Sequence, residues 1–310
     1  MRQAVDLALV AVAAISLSGC SLKTMAITSM ANTLSQSGDT FSRDNDPELV
    51  RDAVPFALKT YESLLDSIPK HEGLLLATCS GFTQYAYAFI ETDADLIEAQ
   101  DYDAASRLKE RALNLYLRGR AYCIRALELR RPGVERTLQI DPGVALKWAT
   151  HADVPLLYWT GAAWGAAISI GLDKPGLVAD VPAVKALMQR ALELQDDYNE
   201  GALHAVMISL EALPAAMGGS QVRARQHFAR AVEMSGGFDP GPYVTLAASV
   251  AQPAQNREEF VTLLKQALAI DPDHRPSARL ATLIAQKRAR HLLSRVDDLF
   301  AGEPSEENLR

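Results

Sequence analysis

Arg111, Arg118 and Arg125 are spaced by sevens. A seven-residue step drifts only about 20° around a helix, so the three side chains share one face. Guanidinium groups stay charged and match planar carboxylates, so such a stripe can hold an organic anion. It can equally be a solvated or salt-bridged helix face. Tyr158, Trp159 and Trp164 cluster in an apolar stretch, where they either line a hydrophobic ligand site or pack as core. Cys79 and Cys123 lie 22 residues before and 22 after Asp101. If segments 73–100 and 102–131 form an antiparallel hairpin turning there, equal rise per residue brings the two thiols level. A disulfide further requires Cα atoms within about 7 Å; two buried core thiols are the other outcome. The six histidines (71, 151, 204, 227, 274, 291) are scattered, without metal-ligand spacing to a carboxylate. No phosphate-binding loop, dinucleotide fingerprint, His-Glu-x-x-His or Gly-x-Ser-x-Gly motif occurs. The residues thus predict no catalytic centre, no metal and no cofactor: a binding surface rather than an enzyme.

The third cysteine has a different chemistry. Leu7 to Leu17 is an apolar run of 11 residues behind Arg2 and Asp6, too short to span a bilayer and read as the core of a signal peptide. It ends in Leu17-Ser18-Gly19-Cys20, which resembles a bacterial lipobox, in which cleavage leaves Cys20 as a lipidated amino terminus. An ordinary signal peptide cleaved nearby is the alternative. Ser21 rather than Asp after the cysteine favours the outer membrane, by resemblance to enteric lipoproteins. Bound acyl chains would hold the chain at a membrane, each buried methylene contributing about 0.8 kcal/mol. The expected division is residues 1–19 as signal peptide, 20–45 as lipidated terminus and tether, 46–300 as folded domain and 301–310 as a disordered acidic tail. A net charge of −7 argues against nucleic acid as a partner.

The elements that must position these residues are helices. Ala224, Phe228 and Ala231 fall on one helical face in a small–large–small order that lets a paired helix approach closely. The same face recurs as Val184, Met188, Ala191, as Phe260, Leu264, Ala267, and more weakly as Gly119, Cys123, Ala126. Steps of 40 and 36 residues between the small residues at 191, 231 and 267 bracket the ideal period of about 34. Val154 to Gly171 holds 18 residues without a charge. Its Gly161 and Gly165 suit a helix buried among others better than a membrane span. The last helix, with basic Lys287, Arg288, Arg290 and Arg295, is expected to close the array as a polar cap. The predicted fold is all-α, an α-solenoid of degenerate tetratricopeptide-like helix hairpins.

Several blocks, in order, go beyond a generic repeat: DNDPELVRDAVPFALKTYESLL, GFTQYAYAFIE, RALNLYLRGRAYCIRALE, PLLYWTGAAWGAAI, GGSQVRARQHFARAVEMSGG and AQKRARHLLSRVDDLF. Together they resemble the T component of tetratricopeptide-associated TRAP transporters over roughly residues 20–300. That resemblance implies a non-catalytic lipoprotein facing the periplasm, found beside a TRAP solute-binding protein whose system imports carboxylates and other small solutes. It also implies a homotrimer with a through-hole in each subunit. On this basis the chain is expected to dock the solute-binding protein and to present a small carboxylate or hydrophobic ligand to it. An envelope scaffold lipoprotein that binds only proteins is the alternative.

Overall fold

The computed structural model describes residues 25–35 and 39–300, and every regular element among them is a helix. Cys20, the signal segment 1–19 and the tail 301–310 lie outside the described residues. Helix α1 covers 25–35 and lays Ala31, fully buried, against the body. Tyr61 donates its hydroxyl to the Leu34 carbonyl at 3.3 Å, which ties α1 to the first long helix that follows, beyond a single helical turn at Asp39–Ser42. That helix, α2 (Pro47–Ser67), begins as its sequence dictates. Asp46 accepts from the Glu48 and Leu49 amides at 3.1 Å, and Pro47 occupies the first turn. It continues through Pro55.

Helix α3 runs Glu72–Tyr85, passes through a π-helical turn at Ala86–Glu91 and resumes as Thr92–Ile97. Asp101 then caps α4 (Tyr102–Arg130) by accepting from the Ala104 amide at 2.9 Å. The α3–α4 hairpin turns where the sequence places it, and Cys79 and Cys123 face each other with Cα atoms 5.5 Å apart and a bonded sulfur pair. The short α5 (Val134–Ile140) leads to α6 (Val154–Ile170), which packs on both α4 and α7 (Val181–Leu194). A Cβ on Gly161 would fall 2.6 Å from the Met188 Cε, so α6 and α7 meet closely because that position has no side chain. Among the described residues no helix is long and apolar enough to cross a membrane.

Next come α8 (Ala202–Glu211), α9 (Gln221–Met234), α10 (Gly241–Leu246, continued by a second π turn at Ala247–Ala251), α11 (Arg257–Ala269) and α12 (Arg279–Ser294). The recurring face is internal throughout. Val184, Met188, Ala191, Phe260, Leu264, Ala267, Ala224 and Ala231 are all buried, while Phe228 is half-buried against Tyr243.

Helix α12, the last long one, departs from the expected polar cap. Ile284 of α12 is buried in one cluster with Val50 of α2, Phe82, Tyr85 and Phe89 of the α3 segment and Tyr116 of α4. Arg279 donates to the Arg43 carbonyl at 3.0 Å, across 236 residues of sequence. Lys287 and Arg288 turn toward α3; Arg290 stays exposed. The array therefore closes on itself. Apolar Ile284 and Leu280 on the inner side of α12 explain this, since an outward cap would leave that side in water.

Candidate functional site

The closure creates a polar interior where α3 and α12 meet. In the π turn of α3, both the amide and the hydroxyl of Thr92 donate to the Tyr87 carbonyl five residues back, the latter at 2.9 Å. One extra residue per turn re-aims the side chains that follow, a device frequent at functional sites. Here it presents Tyr87 and Glu91 together. The Arg288 guanidinium lies over the Tyr87 ring at 4.9 Å, bonds Asp95 at 3.0 Å and donates to the Thr92 hydroxyl at 3.2 Å. Tyr116 donates to Glu91 at 2.5 Å. Next to them Asp93 receives a two-pronged pair from Arg51, at 2.6 and 2.9 Å, and faces Lys287 at 3.5 Å.

A second group comes from α6 and the carboxy-terminal half. Tyr158 packs against Trp159 at 5.0 Å and against Tyr198 at 5.2 Å. Tyr198 is set by a turn in which Asn199 and Glu200, with φ of 45° and 55°, adopt the left-handed region. Non-glycine residues held there cost about 1–3 kcal/mol each and concentrate at ligand clamps and active sites. Glu200 is in turn held by Arg275 at 2.6 Å. Asp239, in the loop after α9, accepts from the Gly241 amide at 2.8 Å.

Electrostatics couple the two groups through Asp239. The Arg288 charge pulls the Tyr87 phenol down, but desolvation and the carboxylates of Glu91, Asp95 and Asp239 outweigh it and raise it. Desolvation, with help from Tyr198 and Asp239, pushes Tyr158 up as well. Asp239 thus acts on tyrosines of both α3 and α6. Desolvation raises Glu91 too, against the opposing pull of Arg288 and Tyr116, and raises Asp239 against Gly241 and Arg275. Yet Tyr87 keeps 41% of its surface exposed, and Glu91, Tyr158, Tyr198 and Asp239 are only half-buried. Groups crowded by neighbours yet still touching solvent sit back in a recess rather than on a convex face, and this recess is the candidate cleft. Arg288 stays charged there, because the surrounding Tyr87, Glu91 and Asp95 outweigh desolvation.

The residues singled out in the sequence fall into separate places. Arg118 grips Glu62 with two bonds of 2.6 Å and lies over Phe82 at 5.0 Å. Lys59 and Tyr122 complete the Glu62 shell at 2.7 Å each. Although burial opposes ionisation, these donors hold the Glu62 carboxyl below its ordinary value. Arg125 donates to the Pro69 carbonyl at 3.2 Å and stacks over Tyr122. Arg111 is exposed, beside Arg107 and Asn114, in an open depression on the outer side of α4. Trp164 is fully buried, donating to Asp180 at 3.2 Å with Arg120 stacked at 3.8 Å. Tyr158 reaches the cleft, with Trp159 behind it. The stripe and the aromatics therefore do not meet. Tyr87, Glu91, Tyr198, Asp239 and Arg288 were missed in the sequence; the nearest signal was a tyrosine-rich stretch, QYAYAF, whose spacing reads as plain core.

Among the described residues no group of three or more histidine, cysteine or acidic side chains is placed to hold a metal. The return of α12 thus gathers tyrosines, one arginine and several carboxylates within the helical array. The chain matches the TRAP transporter T-component family over residues 43–300 and belongs to it. It is similar to an uncharacterized protein of Treponema pallidum (strain Nichols), 33% identical over 303 residues that cover 91% of this chain and 93% of that one. Membership makes it an accessory component of a TRAP transporter and associates it with the cell envelope.

Proposed function

We propose that this chain is a periplasm-facing lipoprotein that docks the TRAP solute-binding protein and presents a small solute to it through the internal cleft. The observation that supports this reading most is the Arg288 guanidinium stacked on Tyr87, which keeps 41% of its surface exposed. The solute is a carboxylate with an apolar portion: the guanidinium suits the anion, and Tyr87, Tyr158 and Tyr198 suit the rest. Arg111, Arg118 and Arg125 lie outside that space; of the three, Arg111 alone stands free for an anionic partner on the outer face.

Two experiments test this. Hexanoate, titrated calorimetrically, should bind the wild type, and Arg288→Lys should weaken it about tenfold by losing the planar fork while keeping the charge. Arg111→Gln should leave that affinity unchanged. The reverse pattern would move the site to the outer face, and capture of the solute-binding protein without any carboxylate binding would favour a pure scaffold. For the anchor, Cys20→Ala should shift the protein from the membrane to the soluble fraction; a variant that keeps its lipid rules out Cys20.

A further inference from the structure

Away from the cleft, the α8–α9 pair contains a hydrogen-bonded relay of two histidines, a carboxylate and an arginine. His204 Nδ1 and His227 Nδ1 are 2.7 Å apart, with ring centroids at 5.0 Å. His204 Nε2 bonds Asp196 Oδ1 at 2.8 Å, and Arg230 donates to the other Asp196 oxygen at 2.9 Å. His204 is 6% exposed and His227 is half-buried. The other charged neighbours already have partners. Arg223 of α9 is paired with Glu211 of α8 at 2.6 Å, and Arg230 also holds Glu233.

The relay has room for one added proton and not for two. Arg230 first, with His204, keeps Asp196 ionised below the ordinary carboxylate range, so Asp196 accepts from the His204 Nε2–H. His204 Nδ1 is then a lone pair, and the His227 Nδ1–H donates to it. One added proton fits on His227 Nε2 without disturbing this bond. A second can only go on His204 Nδ1, where it would face the His227 Nδ1–H along an axis with room for one hydrogen. The doubly charged pair cannot keep the contact.

We propose that His204 and His227 form an acid-sensitive latch, which holds α8 against α9 while at most one ring is charged and releases the pair when both are. Desolvation, then the nearby His204, lowers the His227 value from its ordinary 6.5, with Arg223 adding to this and Glu211 and Asp196 opposing it. A base lowered on folding contributes stability that is present above its unfolded value and lost as pH falls through its folded one. Because the relay tolerates this first proton, release begins only below the pH at which His227 itself charges. Because Tyr198 precedes α8 and Asp239 follows α9, release loosens two segments of the cleft wall, but the latch itself does not depend on what the cleft binds.

Hydrogen exchange, corrected for intrinsic rates, tests it on the full chain. Between about pH 7.5 and about pH 5, protection of α8 and α9 should fall at least about tenfold while that of α4 and α6 holds. His227→Gln, which keeps an amide donor for His204 and cannot charge, should remove the pH-dependent loss. Equal acid loss in that variant, or flat protection in the wild type, overturns the latch. Should His227→Gln fail to fold, imidazole nitrogen resonances of the wild type decide instead. Two rings titrating independently near their ordinary value, with α8–α9 protection unchanged, would also overturn it.

Discussion

Replacing Gly219 with alanine is expected to destabilise the fold by about 3 kcal/mol or more, at the upper end of overpacking. A Cβ there would fall 1.7 Å from the Leu213 carbonyl oxygen and 2.6 Å from its carbon. Both are backbone atoms, and the turn they belong to is fixed from several sides. Ser220 donates its amide to Glu211 at 2.6 Å, and Gly219 to Pro214 at 3.3 Å. Lys185 reaches the Gly218 carbonyl at 2.8 Å, as does Arg223. The added carbon cannot be absorbed by a rotating side chain, so the segment between α8 and α9 must open. Gly176→Ala is the control, since nothing lies within 4 Å of its Cβ. Urea melts compare them: Gly219→Ala should shift to a much lower midpoint and Gly176→Ala should not. Coincident melts for Gly219→Ala would mean that this turn rearranges without cost.

Loss of the Cys79–Cys123 bridge has the next largest expected effect. The two residues are separated by 44 positions, and a cross-link closing a loop of that size stabilises by about 4 kcal/mol in the chain-entropy model. Cys79→Ala/Cys123→Ala should therefore melt at markedly lower urea than the wild type. A thiol count on the Cys20→Ala protein, denatured without reductant, checks the bond directly. No free thiol is expected, and two per chain would rule the bridge out. Both sulfurs are fully buried, so reduction of the folded protein should be slow until it opens.

The helical hairpins were legible because their determinants are local. Asp46-Pro47 and Asp101 start helices through hydrogen bonds to amides two and three residues on, and the faces at 184–191 and 260–267 repeat every three or four positions. The level placement of Cys79 and Cys123 follows from the same arithmetic. Arg118 shows where this stops. Its seven-residue stripe is real as a helix face, but its partner is Glu62, 56 residues earlier, and sequence spacing could not choose between that carboxylate and a ligand. The cleft is further out of reach. Arg288 meets Thr92 across 196 residues, and the π turn that presents Tyr87 and Glu91 has no signature in AYAFIE. A basic helix such as α12 looks solvated until the carboxylates of Asp93 and Asp95 are known to lie beside it.

The return of α12 to α2 and α3 also governs the order in which this protein can be made. In an open array each helix pair gains its neighbours as it appears, and folding can start anywhere. Here Asp93 and Asp95 wait for Lys287 and Arg288, which are synthesised about two hundred residues later, so these long-range contacts are among the last available. Until then one flank of the cleft stands open. The same geometry removes a freedom that repeat proteins usually have, that of lengthening by duplication. One more helix pair would widen the circumference and carry Arg288 away from Asp95 and Tyr87, so the number of hairpins is set by the circuit they must complete.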